Sequence, residues 1–138
     1  MKRYRIFDHT ADLGIEIFGE TQKALFIHAA FAAFDLMADL HSVQPKESRR
    51  ISVEGADRED LLINYLREVL YLFNGEKLLL KYFSIDEIDD RHLTGDVQGE
   101  FFDPGRHPLK REIKAVTYHR AEVRKTEHGW QGKVIFDV

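Results

Sequence analysis

Residues 21–40 read TQKALFIHAAFAAFDLMADL. Thr21 is a natural N-cap for a helix running to about Leu40, because its hydroxyl can accept from a backbone N–H of the first turn. Leu25, Phe26, Ile27, Phe31, Phe34, Leu36, Met37 and Leu40, with alanines between them, fall on nearly every side of that helix. A helix this apolar all round is packed on more than one side. The spacing therefore predicts a central helix held against a β-sheet.

On the N-terminal side, Tyr4 and Ile6, then Ile15 and Ile17, recur at period two, so residues 3–8 and 14–18 read as strands with residues 9–13 as a short polar connection. On the C-terminal side, Ile51 and Val53 mark another strand. Asp57 caps a second helix, with Glu59 and Asp60 in its first turn, where carboxylates favour the positive end of the dipole. Leu62, Leu66, Val69 and Phe73 make its apolar stripe, and Gly75 is a natural stop. Residues 80–88, 93–102, 113–125 and 130–138 read as β, broken by Gly95, Gly99, Pro104-Gly105 and His128-Gly129. The expected fold is α+β: one compact domain over residues 1–138, with a largely antiparallel or mixed sheet of about six strands and two main helices covering one face. The regular β-α alternation of a doubly wound nucleotide-binding fold is missing.

A chain of 138 residues with 43% apolar side chains can build a core without a disulfide or a metal. It has no cysteine, which removes a disulfide scaffold, a thiolate zinc site and a cysteine nucleophile together. The basic start Met1-Lys2-Arg3-Tyr4-Arg5 leads into a strand pattern rather than a signal-peptide apolar core, and no stretch reaches the ~20 apolar residues of a membrane helix. A cytoplasmic protein is expected. Net charge is −4, which gives no global case for nucleic-acid binding. The charges are unevenly spread: residues 86–103 are acidic except for Arg91, and residues 106–125 are mostly basic. Two opposed blocks either steer a partner's docking or neutralise one another on the surface.

Walker A, G-x-G-x-x-G, G-x-S-x-G and H-E-x-x-H motifs are all absent, which leans against a stand-alone hydrolase or nucleotide enzyme. Chemistry concentrates in two places. Asp8-His9-Thr10-Ala11-Asp12-Leu13-Gly14 crowds two carboxylates and an imidazole into a tight connection, where the bland reading is backbone capping. The chain end, Lys133-Val134-Ile135-Phe136-Asp137-Val138, has strand alternation and closes on a carboxylate next to the terminal one. If the first and last strands meet, Asp12, Asp137 and the terminus converge. An all-oxygen site suits Ca²⁺ or Mg²⁺, and zinc only if His9 or His119 joins. The opposing reading pairs an exposed Asp137 with Lys133 or a nearby arginine. In the late strand, Thr117 and His119 are expected on one face and Tyr118 on the other, with Lys114 upstream. His28 reads as structural, and Trp130 as core cover rather than a base-stacking surface.

Four blocks in order, Asp8-His9-Thr10-Ala11-Asp12-Leu13-Gly14-Ile15, Asp60-Leu61-Leu62 with Tyr65-Leu66 and Glu68-Val69-Leu70, Glu112-Ile113-Lys114-Ala115-Val116-Thr117-Tyr118-His119, and Phe136-Asp137-Val138, resemble the archease family over essentially the full length. The resemblance implies a cofactor of the RtcB-type tRNA-splicing ligase, which joins a 3′-phosphate RNA end to a 5′-hydroxyl end using GTP and a divalent metal. Such a helper is not itself an enzyme. It speeds guanylylation and lets the ligase turn over repeatedly. The resemblance also implies a bound divalent cation, calcium first, with Mg²⁺ or Mn²⁺ as alternatives. Its ligands would be Asp12, Asp137 and Val138, the last through its carbonyl or terminal carboxylate; Asp8, His9, Lys114 and His119 belong to the neighbourhood. GTP and RNA would be met through the ligase, by a monomer and away from any membrane.

Two other readings compete. One is a metal-dependent phosphohydrolase or nuclease acting alone, with His9 or His119 as general base. The other is a general chaperone-like module, for which the sequence offers no large exposed apolar helix face.

Overall fold

The computed structural model describes residues 2–8 and 12–138, Asp8 by its backbone alone. The chain runs β1 (Tyr4–Asp8), β2 (Asp12–Gly19), α1 (Gln22–Met37), β3 (Glu47–Glu54), α2 (Arg58–Asn74), β4 (Leu78–Ile88), β5 (His92–Phe101), β6 (Ala115–Thr126) and β7 (Gly129–Asp137). The α+β class holds, but among the described residues the expected sheet of about six strands resolves into seven strands in two sheets. One sheet has the order β1-β2-β7-β6 and the other β3-β5-β4, and every described pair is antiparallel.

The greasy helix explains the division. Ala29, Ala30, Ala32 and Ala33 are all fully buried, as are Leu25, Phe26 and Phe34. A helix with no polar side has to be covered from more than one direction. α1 lies against β2 of the first sheet and β4 of the second, with α2 alongside. Small side chains let it fit between them at close range. Its start is as expected: Thr21 has extended backbone, and its Oγ1 accepts from Ala24 N–H at 3.0 Å. Its end comes at Met37, short of Leu40. There the 102–114 segment intervenes. Lys110 N–H donates to the Met37 carbonyl at 2.8 Å, and Ala38 turns extended to bridge Leu109. The segment thus supplies donors for carbonyls that a helix end leaves unpaired.

α2 starts at Asp57, whose carboxylate accepts from Asp60 N–H at 2.8 Å. Glu59 accepts from Val123 N–H at 2.8 Å, which pins the helix start to β6. Gly75 follows the last turn but stays right-handed, at φ −91°. The left-handed residue is Lys77, at φ 61°. Its N–H bonds to the Phe73 carbonyl and its carbonyl accepts from Phe102, so hydrogen bonds on both sides hold a conformation that a lysine rarely adopts.

Candidate functional site

β2 and β7 are neighbours in register from Asp12↔Asp137 to Gly19↔Trp130. The first described residue of β2 therefore faces the last residue of β7. On the far side of β7, Asp137 pairs with Ala115 of β6, and its carbonyl accepts from Lys114 N–H at 2.8 Å. Directly opposed residues of an antiparallel pair project to the same face with Cβ atoms about 4.5–5.5 Å apart. Leu13, Ile15 and Ile17 of β2 and Val134 and Phe136 of β7 are buried in the core. Alternation then assigns Asp12 and Asp137 to the outer face, where both are exposed.

That outer face has its own small cover. The Phe7 ring lies over Gly14, with Arg120 at 5.6 Å and Lys133 at 5.9 Å from its centroid. Further along, Glu16 is nearly buried, paired with Arg5 at 2.7 Å and hydrogen-bonded by Gln131 at 3.0 Å. The Arg5 hydrogen bond holds the Glu16 carboxyl below its ordinary range despite its burial, with Lys133 and Gln131 assisting.

β6 is not the regular strand its sequence predicts. Thr117 pairs with Ile135 and Glu122 with Lys133, so residues 118–121 all stand opposite Val134. This bulge breaks the expected alternation of Thr117, Tyr118 and His119. Arg120 within it is left-handed, at φ 59°. Tyr118 leaves the ladder for α2, donating to Asp60 at 2.6 Å, while the Arg67 guanidinium lies 4.8 Å over its ring. The Tyr118 hydrogen bond, then the Ala56 N–H, lower the Asp60 carboxyl. Sequence alternation carries no sign of the bulge.

The β2–β7 ladder brings Asp12 and Asp137 together, and Val138 follows Asp137 in the chain. The Lys114 N–H reaches the Asp137 carbonyl, and Lys114 also lines a cleft with Arg67, Tyr71 and Asn74 of α2. His119 lies in the bulge, exposed. Asp8 pairs with Gly14 through its backbone; its side chain, and all of His9, lie outside the described residues. Among the described residues no ion pair joins Asp137 to Lys133, and no three acidic or imidazole side chains form a cluster able to enclose a cation. What they present is two opposed carboxylates, with Val138 next in the chain after Asp137. This donor set fits a hard cation that takes oxygen ligands, with water or a partner completing the shell.

The acidic block is largely paired within the fold. Asp86 and Asp96 pair with Arg50, and Asp90 with Arg58. Glu100 is the acid that composition could not single out. Its side chain is 5% exposed and meets His107 at 2.8 Å, Arg106 at 3.0 Å and Lys46 at 3.5 Å. His107 Nδ1 accepts from Asp103 N–H, so the ring proton sits on Nε2 and is donated to Glu100. Burial pushes the Glu100 carboxyl up, but the His107 and Arg106 hydrogen bonds and the nearby positive charges outweigh it and hold it at about 2. His28 makes the structural bond its place in the helix suggests: its Nδ1 donates to the Phe18 carbonyl at 2.5 Å. Trp130 is partly buried against the core, under Arg58.

Two antiparallel sheets closed around one apolar helix, with a pair of acidic strand ends at one rim, define a small α+β class of domain. The sequence profile described as the Archease protein family (MTH1598/TM1083) matches residues 4–138. The chain is 36% identical to the protein archease of Pyrococcus furiosus and 38% identical to that of Methanothermobacter thermautotrophicus, covering all of both chains in each case. It is 35% identical to the Methanosarcina barkeri archease, over 99% of this chain and 97% of that one. The solution structure of Methanobacterium thermoautotrophicum protein 1598 superposes with a TM-score of 0.85 at 38% identity, over the whole of both chains. A Thermotoga maritima archease described as a possible chaperone shares the fold, with a TM-score of 0.66 at 20% identity over 96% of this chain and 94% of that one. This chain belongs to the archease family. No helix among the described residues is long and apolar enough to cross a membrane.

Proposed function

We propose that this protein is a metal-binding accessory factor of an RtcB-type tRNA-splicing RNA ligase, promoting GTP-dependent guanylylation and repeated turnover. The observation that carries the reading is the opposition of Asp12 and Asp137 across the β2–β7 ladder. Two like charges directly opposed are unfavourable in a sheet, so a sheet that keeps them gains when a cation lies between them. A calcium ion held there, or Mg²⁺ or Mn²⁺ in its place, would supply positive charge for phosphate oxygens. The chain's own part is positional. β2 and β7 hold the carboxylates at an exposed rim, where a docking surface can reach them. The Lys114 N–H engages the Asp137 carbonyl and fixes the end of β7.

The test is multiple-turnover joining of a 3′-phosphate RNA end to a 5′-hydroxyl end by the cognate ligase, with this protein substoichiometric. A rise in turnovers that disappears in Asp12→Ala and Asp137→Ala, both folded by circular dichroism, is expected. Full stimulation by the two variants would sink the reading. So would hydrolysis of RNA or phosphomonoesters by the protein alone with Mg²⁺, Mn²⁺ or Ca²⁺.

A further inference from the structure

A second surface has chemistry that the carboxylate pair does not use. Between α1 and β4 lies an open cleft of about 480 Å³. Phe31, Tyr82 and Phe83 line it with Arg3, Lys81 and His28, and none of its lining side chains is acidic. In a chain of net charge −4 that is a local excess of positive charge. The cations are set on rings: the Arg3 guanidinium lies 4.2 Å over the Phe31 centroid and the Lys81 ammonium 5.6 Å from that of Tyr82. Arg3 is held in place by the bond from Phe18 N–H to its carbonyl, at 2.9 Å. Lys81 is the extra residue of a bulge, since Leu80 pairs with Gly99 and Tyr82 with Gln98. A bulge re-aims side chains, and here it places Lys81 and Tyr82 together on the cleft. Tyr82 is 37% exposed, so its ring is accessible.

The occupant follows from these groups. Aromatic faces and a guanidinium plane interleaved with cations make a stacking platform for bases with charge for the phosphates between them. A duplex hides its base faces, which leaves a single strand. His28 adds discrimination. Its Nδ1 donates to the Phe18 carbonyl, so in the neutral ring Nε2 is the acceptor left over on a residue that lines the cleft. A ribose 2′-hydroxyl can donate to it and a deoxyribose cannot. We infer that this cleft binds a short stretch of single-stranded RNA directly, in preference to DNA. The inference goes beyond the metal-site reading and needs neither ligase nor cation.

It is tested by fluorescence anisotropy of the whole protein, in chelator, with a fluorescein-labelled uridine oligonucleotide and its deoxy counterpart. Saturable binding of the RNA, tighter than the DNA, is expected. Two phosphate contacts at ~0.7 each predict a log–log salt slope of about −1.4, flattening toward zero in the Arg3→Ala/Lys81→Ala double variant. Tyr82→Ala weakens binding roughly tenfold, while Tyr82→Phe, which keeps the ring and loses only a hydroxyl bonded to the Val43 carbonyl at 3.3 Å, binds as the parent does. Asp12→Ala and Asp137→Ala leave this binding unchanged, so failure of one reading is distinguishable from failure of the other. Absence of saturable binding, equal binding of DNA, or undiminished binding by the folded double variant overturns the inference. Capture of a polyglutamate peptide in place of RNA, with the same variant dependence, overturns it too and gives the cleft to an acidic protein segment.

Discussion

The ring of Phe7 lies directly over Gly14: a methyl group at residue 14 would stand 2.7 Å from the ring's Cζ. The obstacle is the far end of a side chain, which can swing aside. In the middle of β5, a methyl at Gly95 or Gly99 would instead meet the Ser84 or Leu79 backbone carbonyl of β4. Gly14→Ala should therefore cost less than ~1 kcal/mol, and Gly95→Ala or Gly99→Ala about 1–3 kcal/mol or more. Urea unfolding of the three variants checks this, and equal losses would refute it.

The opposed Asp12 and Asp137 carboxylates predict a linkage between metal and stability. With calcium at a hundredfold excess over its dissociation constant, the folded state should gain ~2.7 kcal/mol over the chelated protein. Asp137→Asn removes one of two like charges, so it should melt slightly higher than the parent in chelator and gain nothing from calcium. Thermal melts of both proteins with and without calcium measure this. A calcium shift surviving in the variant would place the cation elsewhere.

Glu100 predicts a pH dependence. Its carboxyl is held at about 2, against an ordinary value of 4.5. A folded value below the unfolded one gives stability that is present above about 4.5 and lost as pH falls toward 2. The shift corresponds to roughly 3 kcal/mol at most. Denaturant unfolding across that window should show a falling acid limb in the parent. Glu100→Gln should lower stability at neutral pH and flatten the limb. An unchanged limb would mean that other carboxylates carry it.

Tyr65 is 1% exposed, and its hydroxyl has no partner among the described residues. An unsatisfied buried hydroxyl costs about 1–3 kcal/mol, so Tyr65→Phe should raise stability by part of that amount. Burial also raises the pKa of the phenol, so the hydroxyl stays neutral and cannot be eased by ionising. A destabilised Tyr65→Phe protein would reveal a hydrogen bond through water.

Much of this was legible in the sequence. The apolar girth of residues 21–40 predicted a helix covered on more than one side, and Thr21 and Asp57 both cap where their side chains said they would. The sequence made the meeting of Asp12 with Asp137 conditional on the first and last strands being neighbours; in the structure it is the second strand, β2, begun at Asp12 rather than at residue 14, that lies beside β7. The division into two sheets was not legible, because period-two alternation marks a strand without naming its partner. Nor was the bulge at residues 118–121, since Tyr118, His119 and Arg120 alternate acceptably on paper; the Asp60 carboxylate on α2 takes Tyr118 away. The Glu100–His107 pair looks like two surface residues until the Asp103 turn folds one onto the other. The α1–β4 cleft draws on residues 3, 27, 28, 31 and 81–83, which only tertiary packing gathers.

β2 carries one further consequence. Phe18, near one end, takes the hydrogen bond from His28 in the cleft, and Asp12 stands at the other end. Six residues of extended chain separate them, about 20 Å at roughly 3.3 Å per residue. β1 and β7 grip the strand along both edges, so that interval cannot stretch or slip. The strand is in effect a ruler with a mark at each end. An RNA tail seated in the cleft would present its terminus at the acidic rim only after a set length of backbone, so the protein would gauge how far an end protrudes without reading a single base.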